Sequence, residues 1–333
     1  MIITAASFPT PEFIKTTNNP AVWDQKARFA DFQAAAANQA LERLSGTLDR
    51  LSTPGERSMA FVQLYRDLAE WRYQLAQTAE GQSPGAELEQ YHSPIGGHRM
   101  LDRFGPGRRR ELTTDPATGL VVRVAETPGS RTAARLGALI EARFQAELPP
   151  RVEMLQNHVR LPDGRTIPGN VLMRGSAAAE AYGIPVPPEG IWCTMTGLEA
   201  DRRALQQEAF TVLGDLETQR AEGRADLVAD PAARRAFTAA EYYLYQGPEY
   251  QRGGDATIRV LLAASHTRIF GAAPKLPQDI DLMAYVAGQH EFHRRLDNTQ
   301  AVLSTPGSRV QADAGHQSAV RRPQQRGVAP ERG

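Results

Sequence analysis

The stretch from Asp230 to Leu296 constrains the fold more than any other. It reads as helix, loop, helix. Phe237, Ala240, Tyr243 and Leu244 share one side of a first helix that runs to about Tyr245, opened by Asp230-Pro231, an N-cap followed by a first-turn proline. Ile258, Leu261, Leu262 and Ile269 recur through a second, from about Asp255 to Phe270, which Gly271 ends. A third is expected over Asp279–Leu296. Between the first two lies GPEYQRGGDATIR. Glycines at a helix start let backbone N–H groups converge on an anion, and the helix dipole favours negative charge there. Arg252, Gly253, Gly254, Asp255 and Arg259 are therefore a candidate phosphate or carboxylate site. The same residues fit a plain helix-helix turn, with Asp255 as cap and Arg259 paired to it one turn later. No histidine, cysteine or lysine in the loop can act as base or nucleophile.

Upstream, Asp24–Leu51 and Glu56–Gln77 carry apolar residues at helical spacing, with Phe61, Leu64, Leu68, Trp71 and Leu75 in the second. Thr53-Pro54-Gly55 breaks them into a hairpin. Gly81–Thr118 reads as a long surface loop, with Arg108–Arg110 on a solvated turn. A strand over Leu120–Ala125 precedes a helix over Arg131–Glu147. Val152–Leu161, the turn Pro162-Asp163-Gly164 and Arg165–Arg174 form a β-hairpin. Pro168 and Gly169 in its second arm predict an unpaired edge, where an extended partner peptide could add. An extended, proline-stiffened segment then leads into a helix over Leu198–Arg220. From Ser304 the chain has too little apolar content to fold. The expected fold is mainly α, a helical bundle with a β-hairpin flap. It divides into an N-terminal hairpin and loop (1–118), a core (119–303) and a disordered tail (304–333).

Thirty-eight basic residues balance thirty-eight acidic ones, so no net field draws the chain to nucleic acid. The single cysteine, Cys193, excludes an internal disulfide and a cysteine-rich zinc site. No apolar run approaches the roughly 20 residues of a membrane span, and no signal peptide opens the chain. The expectation is a cytoplasmic protein, or one secreted into a host cell without such a peptide. The Ser-, Thr-, Pro- and Asn-rich opening suits a bacterial effector and a frayed terminus alike.

Hairpin, extended segment, helix, glycine loop and helix, over Val152–Leu296, resemble the core of the Fic/Doc (Fido) family, whose loop reads HPFx(D/E)GNGRxxR. In that family the histidine deprotonates a target hydroxyl, the acid holds magnesium, the glycine loop cradles nucleotide phosphates and the last arginine reaches a terminal phosphate. Here Pro248 stands at the histidine, Tyr250 at the phenylalanine and Arg252 at the acid. Gly253 and Arg259 are retained, and Gly254, Asp255 and Ala256 replace Asn, Gly and Arg. The resemblance implies a nucleotide or sugar-nucleotide donor, with magnesium if Asp255 is its ligand. It also implies a target protein docked at the Val152–Arg174 flap. The missing histidine speaks against ordinary AMPylation, and degenerate members of the family include effectors that lost the motif.

A second constellation competes. Cys193, His266 and Asp281 follow the order nucleophile, base, orienting acid, and a thiol just ahead of a helix would have a lowered pKa. They make a cysteine hydrolase the alternative, beside a non-catalytic protein-binding module that uses the hairpin edge. His290 and His293 could present two metal ligands on one helical face, though they lack HExxH spacing. Tyr242, Tyr243, Tyr245 and Tyr250 fit either a base-stacking cluster or a core with polar tips.

Overall fold

A computed structural model describes residues 2–10, 17–78, 81, 86–115, 117–183, 190–223 and 227–304. Of the tail expected over 304–333, Ser304 closes the last helix and the rest lies outside the described residues. Helices α1 (Pro20–Leu48) and α2 (Pro54–Ala76) form the N-terminal hairpin. Thr53 and Glu56 cap α2 reciprocally: Thr53 Oγ1 accepts from the Glu56 N–H at 3.2 Å, and Glu56 Oε2 accepts from the Thr53 N–H at 2.9 Å.

The stretch expected to be loop up to Thr118 instead contains β1 (Met100–Phe104) and β2 (Glu111–Thr114). Strand β3 (Val121–Ala125) pairs antiparallel with β2 in a small sheet of their own, and α3 (Pro128–Glu147) follows. The hairpin forms as β4 (Met154–Arg160) and β5 (Thr166–Arg174). After it come α4 (Gly175–Tyr182), β6 (Trp192–Met195), α5 (Glu199–Ala221), α6 (Pro231–Gln246) and α7 (Gly254–Phe270). The single helix expected over Asp279–Leu296 is two, α8 (Ile280–Val286) and α9 (Gln289–Ser304). Ala287 is extended, with ψ 145°, and Gly288, a poor helix former, follows it at the break.

The main sheet is antiparallel in the order β1-β6-β5-β4. Strand β5 is therefore interior, which corrects the expected unpaired edge over Val171–Arg174 alone. Its ladder with β6 covers only Val171–Arg174, leaving out Pro168 and Gly169. Gln246 of α6 fills that gap, its Oε1 accepting from the Asn170 N–H at 2.9 Å. The edge of the hairpin is β4. Gln289 of α9 brackets it at Arg160, accepting from the N–H at 2.8 Å and donating to the carbonyl at 3.0 Å.

One sheet face, with Leu155, Val159, Leu172 and Trp192, joins the main core. Helix α7 lies in that core. Val260 through Ala264 are wholly buried on every side of it, as in a helix surrounded by others. Both α1 and α2 pack on α7, so the N-terminal hairpin shares a core with the C-terminal helices. Among the described residues no helix is long and apolar enough to cross a membrane.

Candidate functional site

Gly253 caps α7 with φ +79°, a left-handed conformation that favours glycine. A Cβ there would lie 2.7 Å from Arg72 Cγ and 3.0 Å from Tyr91 Cδ1. No side chain caps the helix. The Thr257 N–H, bound to the Gly253 carbonyl at 3.1 Å, opens the helical ladder, so the N–H groups of Gly254, Asp255 and Ala256 point out of the helix end. Among the described residues, nothing apart from its chain neighbours and the backbone of its own helix lies within 4 Å of a Cβ placed on Gly254.

Residues 90–95 strap this loop. Ile95 N–H donates to the Glu249 carbonyl at 2.8 Å, Gln251 N–H to Ser93 at 3.0 Å and Arg252 N–H to Gln90 at 3.0 Å. Buried Arg202 of α5 holds the strap, donating to the carbonyls of Gly197 at 2.6 Å, Gly97 at 3.3 Å and Ile95. Arg99 continues from the strap to Gln251 Oε1 at 2.9 Å, and Arg252 reaches Gln90 Oε1 at 3.1 Å. The two guanidiniums are neighbours. Burial first, and the Arg252 charge second, pull the Arg99 pKa down. Among the described residues neither is paired with a carboxylate. Behind Gly253, buried Arg72 lies 4.4 Å from the Tyr91 ring centroid and 5.2 Å from that of Phe29. It donates to the Gly81 carbonyl at 2.8 Å, while its Nε and Nη1 have no acceptor among the described residues.

Arg259 departs from the expectation that it faces a ligand. It is 0% exposed, with Nε on Asp255 Oδ1 at 2.8 Å, Nη1 on the Pro277 carbonyl at 2.8 Å and Nη2 on the Gln278 carbonyl at 3.1 Å. Asp281 lies 3.6 Å from Nη2. Burial alone would lower the Arg259 pKa, but Asp255, Tyr245 and Asp281 outweigh it and raise it. Asp255 Oδ1 also accepts from Tyr245 at 3.2 Å, so this carboxylate serves as an internal counter-ion. The Arg259 guanidinium offsets its charge through Oδ1, which weakens its repulsion of an anion at the helix end. Arg252, Gly253 and Gly254 thus stand in sequence at the uncapped start of α7, while Asp255 bonds to buried Arg259 one turn further on.

The alternative triad is not assembled. Cys193 lies within β6 instead of ahead of a helix, and burial raises its thiol pKa against the opposing pull of Arg103 and Arg108. His266 sits on α7 with Nδ1 2.7 Å from the Ala272 carbonyl and its ring 5.3 Å from Phe237 and 4.8 Å from Phe270. Burial lowers its pKa. Asp281 belongs to the Arg259 cage. Among the described residues no hydrogen bond joins any two of the three. Tyr242, Tyr243 and Tyr245 are core residues whose hydroxyls bind the Ala287 carbonyl, the Arg160 carbonyl and Asp255, and Tyr250 stacks on Tyr65. His290 is exposed while His293 packs edge-on to Tyr242, so the pair does not converge on a metal.

Sequence reasoning missed Arg72, Arg99 and Arg202, which no local pattern marks, because their partners lie far along the chain. It also missed Glu241. That carboxyl is buried on α6 with Oε2 unpartnered among the described residues, and burial pushes its pKa up to about 8. No protein-family model matches the chain, and no curated protein is similar to it in sequence.

Proposed function

We propose that this chain binds the phosphate of a nucleotide or sugar nucleotide at the start of α7 and is a Fic/Doc-like modifier of a protein laid along the β4 edge. The observation that carries the reading is convergence. Three backbone N–H groups leave an uncapped helix end that follows Arg252 in the chain by two residues, and the Arg252 guanidinium neighbours that of Arg99, with neither paired to a carboxylate among the described residues. Such an end attracts anions through its free donors and its dipole, and arginine adds charge-assisted bonds to phosphate. The order of hairpin, helix, glycine loop and helix supports the donor and target assignments. Pro248 in place of a base means that transfer would draw its base from outside the loop. The same substitution favours, as a second reading, a module that holds ligand and partner without modifying either.

Calorimetric titration of ATP, GTP and UDP-glucose tests the site. Arg99→Ala and Arg252→Ala should each weaken the nucleotide that binds by about 1.5–3 kcal/mol, the usual loss of a hydrogen bond to a charged group. Gly254→Val should weaken it with little cost in stability, because an added Cβ meets no other side chain among the described residues. Equal binding by all variants, or none by wild type, overturns the site. Mass spectrometry of candidate targets incubated with the nucleotide that binds then separates a transferase from a holder.

A further inference from the structure

The second face of the four-stranded sheet gathers sulfur that the anion site does not use. By register Met100 opposes Met195, Met173 opposes Cys193 and Met154 opposes Met173, which puts all five on one face. They are the single cysteine and more than half of the seven methionines. Met173, Cys193 and Met195 are buried together with Ala178 of α4, as a cluster separate from the main core. Met100 packs half-buried at their side, and Met154 is exposed at the margin. The Cys193 thiol makes no hydrogen bond among the described residues. Residues opposed on adjacent strands lie about 5 Å apart, and residues two apart on one strand about 7 Å. Three sulfur-bearing side chains therefore rise from neighbouring corners of one patch.

We propose that Met173, Cys193 and Met195 form a three-sulfur site for a soft monovalent cation, Cu(I), with Met100 at its rim. Thiolate and thioether ligands select Cu(I) over cations that prefer oxygen. Binding is an exchange: the Cys193 S–H bond breaks, an S–Cu bond forms, and a proton leaves to solvent with no change of oxidation state. The charge of the site stays the same. That matters because Arg103 and Arg108 act on this thiol, and they would repel an added positive charge while favouring the thiolate. Arg103 Nε donates to Met100 Sδ at 3.0 Å, which holds that sulfur at the edge.

The test is an anaerobic titration of the full chain against Cu(I) held by bicinchoninate, read from the chelator's absorbance. Wild type should withdraw one equivalent, with affinity rising about tenfold per pH unit as the one proton is released. Cys193→Ser should abolish this. Met173→Leu and Met195→Leu preserve volume and fold, and each should weaken binding at least tenfold. Met59→Leu, exposed on α2, should leave it unchanged. No withdrawal by folded wild type overturns the proposal. So does binding that survives both methionine substitutions, which would mean an adventitious ion only on a thiol.

Discussion

Helices α6 and α7 each bury an ionisable group, and they do so by opposite means. Arg259 on α7 stays charged because two carboxylates, a phenol and two carbonyls surround it. Glu241 on α6 has no such company among the described residues. Burial is the sole cause of its raised pKa, so it is held neutral by a proton. The sequence places it against α7: Phe237 and Tyr245, four residues to either side, touch His266 and Asp255 of that helix. A buried charge that is paired depends on its partners. A buried acid that is unpaired depends on pH.

The largest expected effect follows from Glu241. Its folded pKa of about 8 lies above the ordinary 4.5, so between those values the folded state holds a proton that the unfolded state has lost. Stability from this group is full below about pH 4.5 and is lost as pH rises through about 8, by on the order of 4–5 kcal/mol. Urea unfolding across that range should show the decline, and Glu241→Gln should flatten it by the same amount. An unchanged slope in the variant would mean that Oε2 has an acceptable partner at every pH.

Arg259 comes next. Removing one member of a buried ion pair leaves the others uncompensated, so Arg259→Ala should cost about 3–5 kcal/mol. The contrast with Arg252 sharpens the reading of the site. Arg252→Ala should reduce nucleotide affinity with little change in unfolding, and Arg259→Ala the reverse. A stable Arg259→Ala protein that has lost its ligand would return Arg259 to the binding surface and break the comparison.

What could be seen in the sequence followed from periodicity and punctuation. The helices flanking the glycine loop, the stop at Gly271 and the Thr53-Pro54-Gly55 break all carry local signals that the structure repeats within a residue or two. The turn at Asp163-Gly164 fixed the β4–β5 hairpin in the same way. Strand β1 was invisible, because its pairing partner β6 lies some ninety residues away and its own residues, MLDRF, do not alternate. For the proposed anion site, Gly253 and Arg252 are suggested by the loop alone. Arg99 and Arg202 could not, since their roles depend on carbonyls and amides brought near only by the strap. The burial of Arg259, bonded to Asp255, was equally hidden, because an i to i+4 pair predicts contact and says nothing of which side is core.

The smallest effect tests the same wall of the Arg259 cage from outside. Residues 277–281 are gripped twice, by Arg259 through the carbonyls of Pro277 and Gln278, and by Arg135 of α3 through Asp279 at 2.8 Å. The two arginines make bonds of similar length. Their surroundings differ, for the Arg135 side chain is 53% exposed and that of Arg259 is 0% exposed. Water screens the outer pair and both partners keep their hydration when it breaks, so Arg135→Ala should cost no more than about 0.5 kcal/mol. Added salt should erase even that, while leaving the Arg259→Ala penalty in place, because screening acts weakly on buried pairs. Unfolding of both variants at low and high sodium chloride measures the difference. If Arg135→Ala proves as costly as Arg259→Ala, the segment is held from its exposed side and burial does not rank the two contacts.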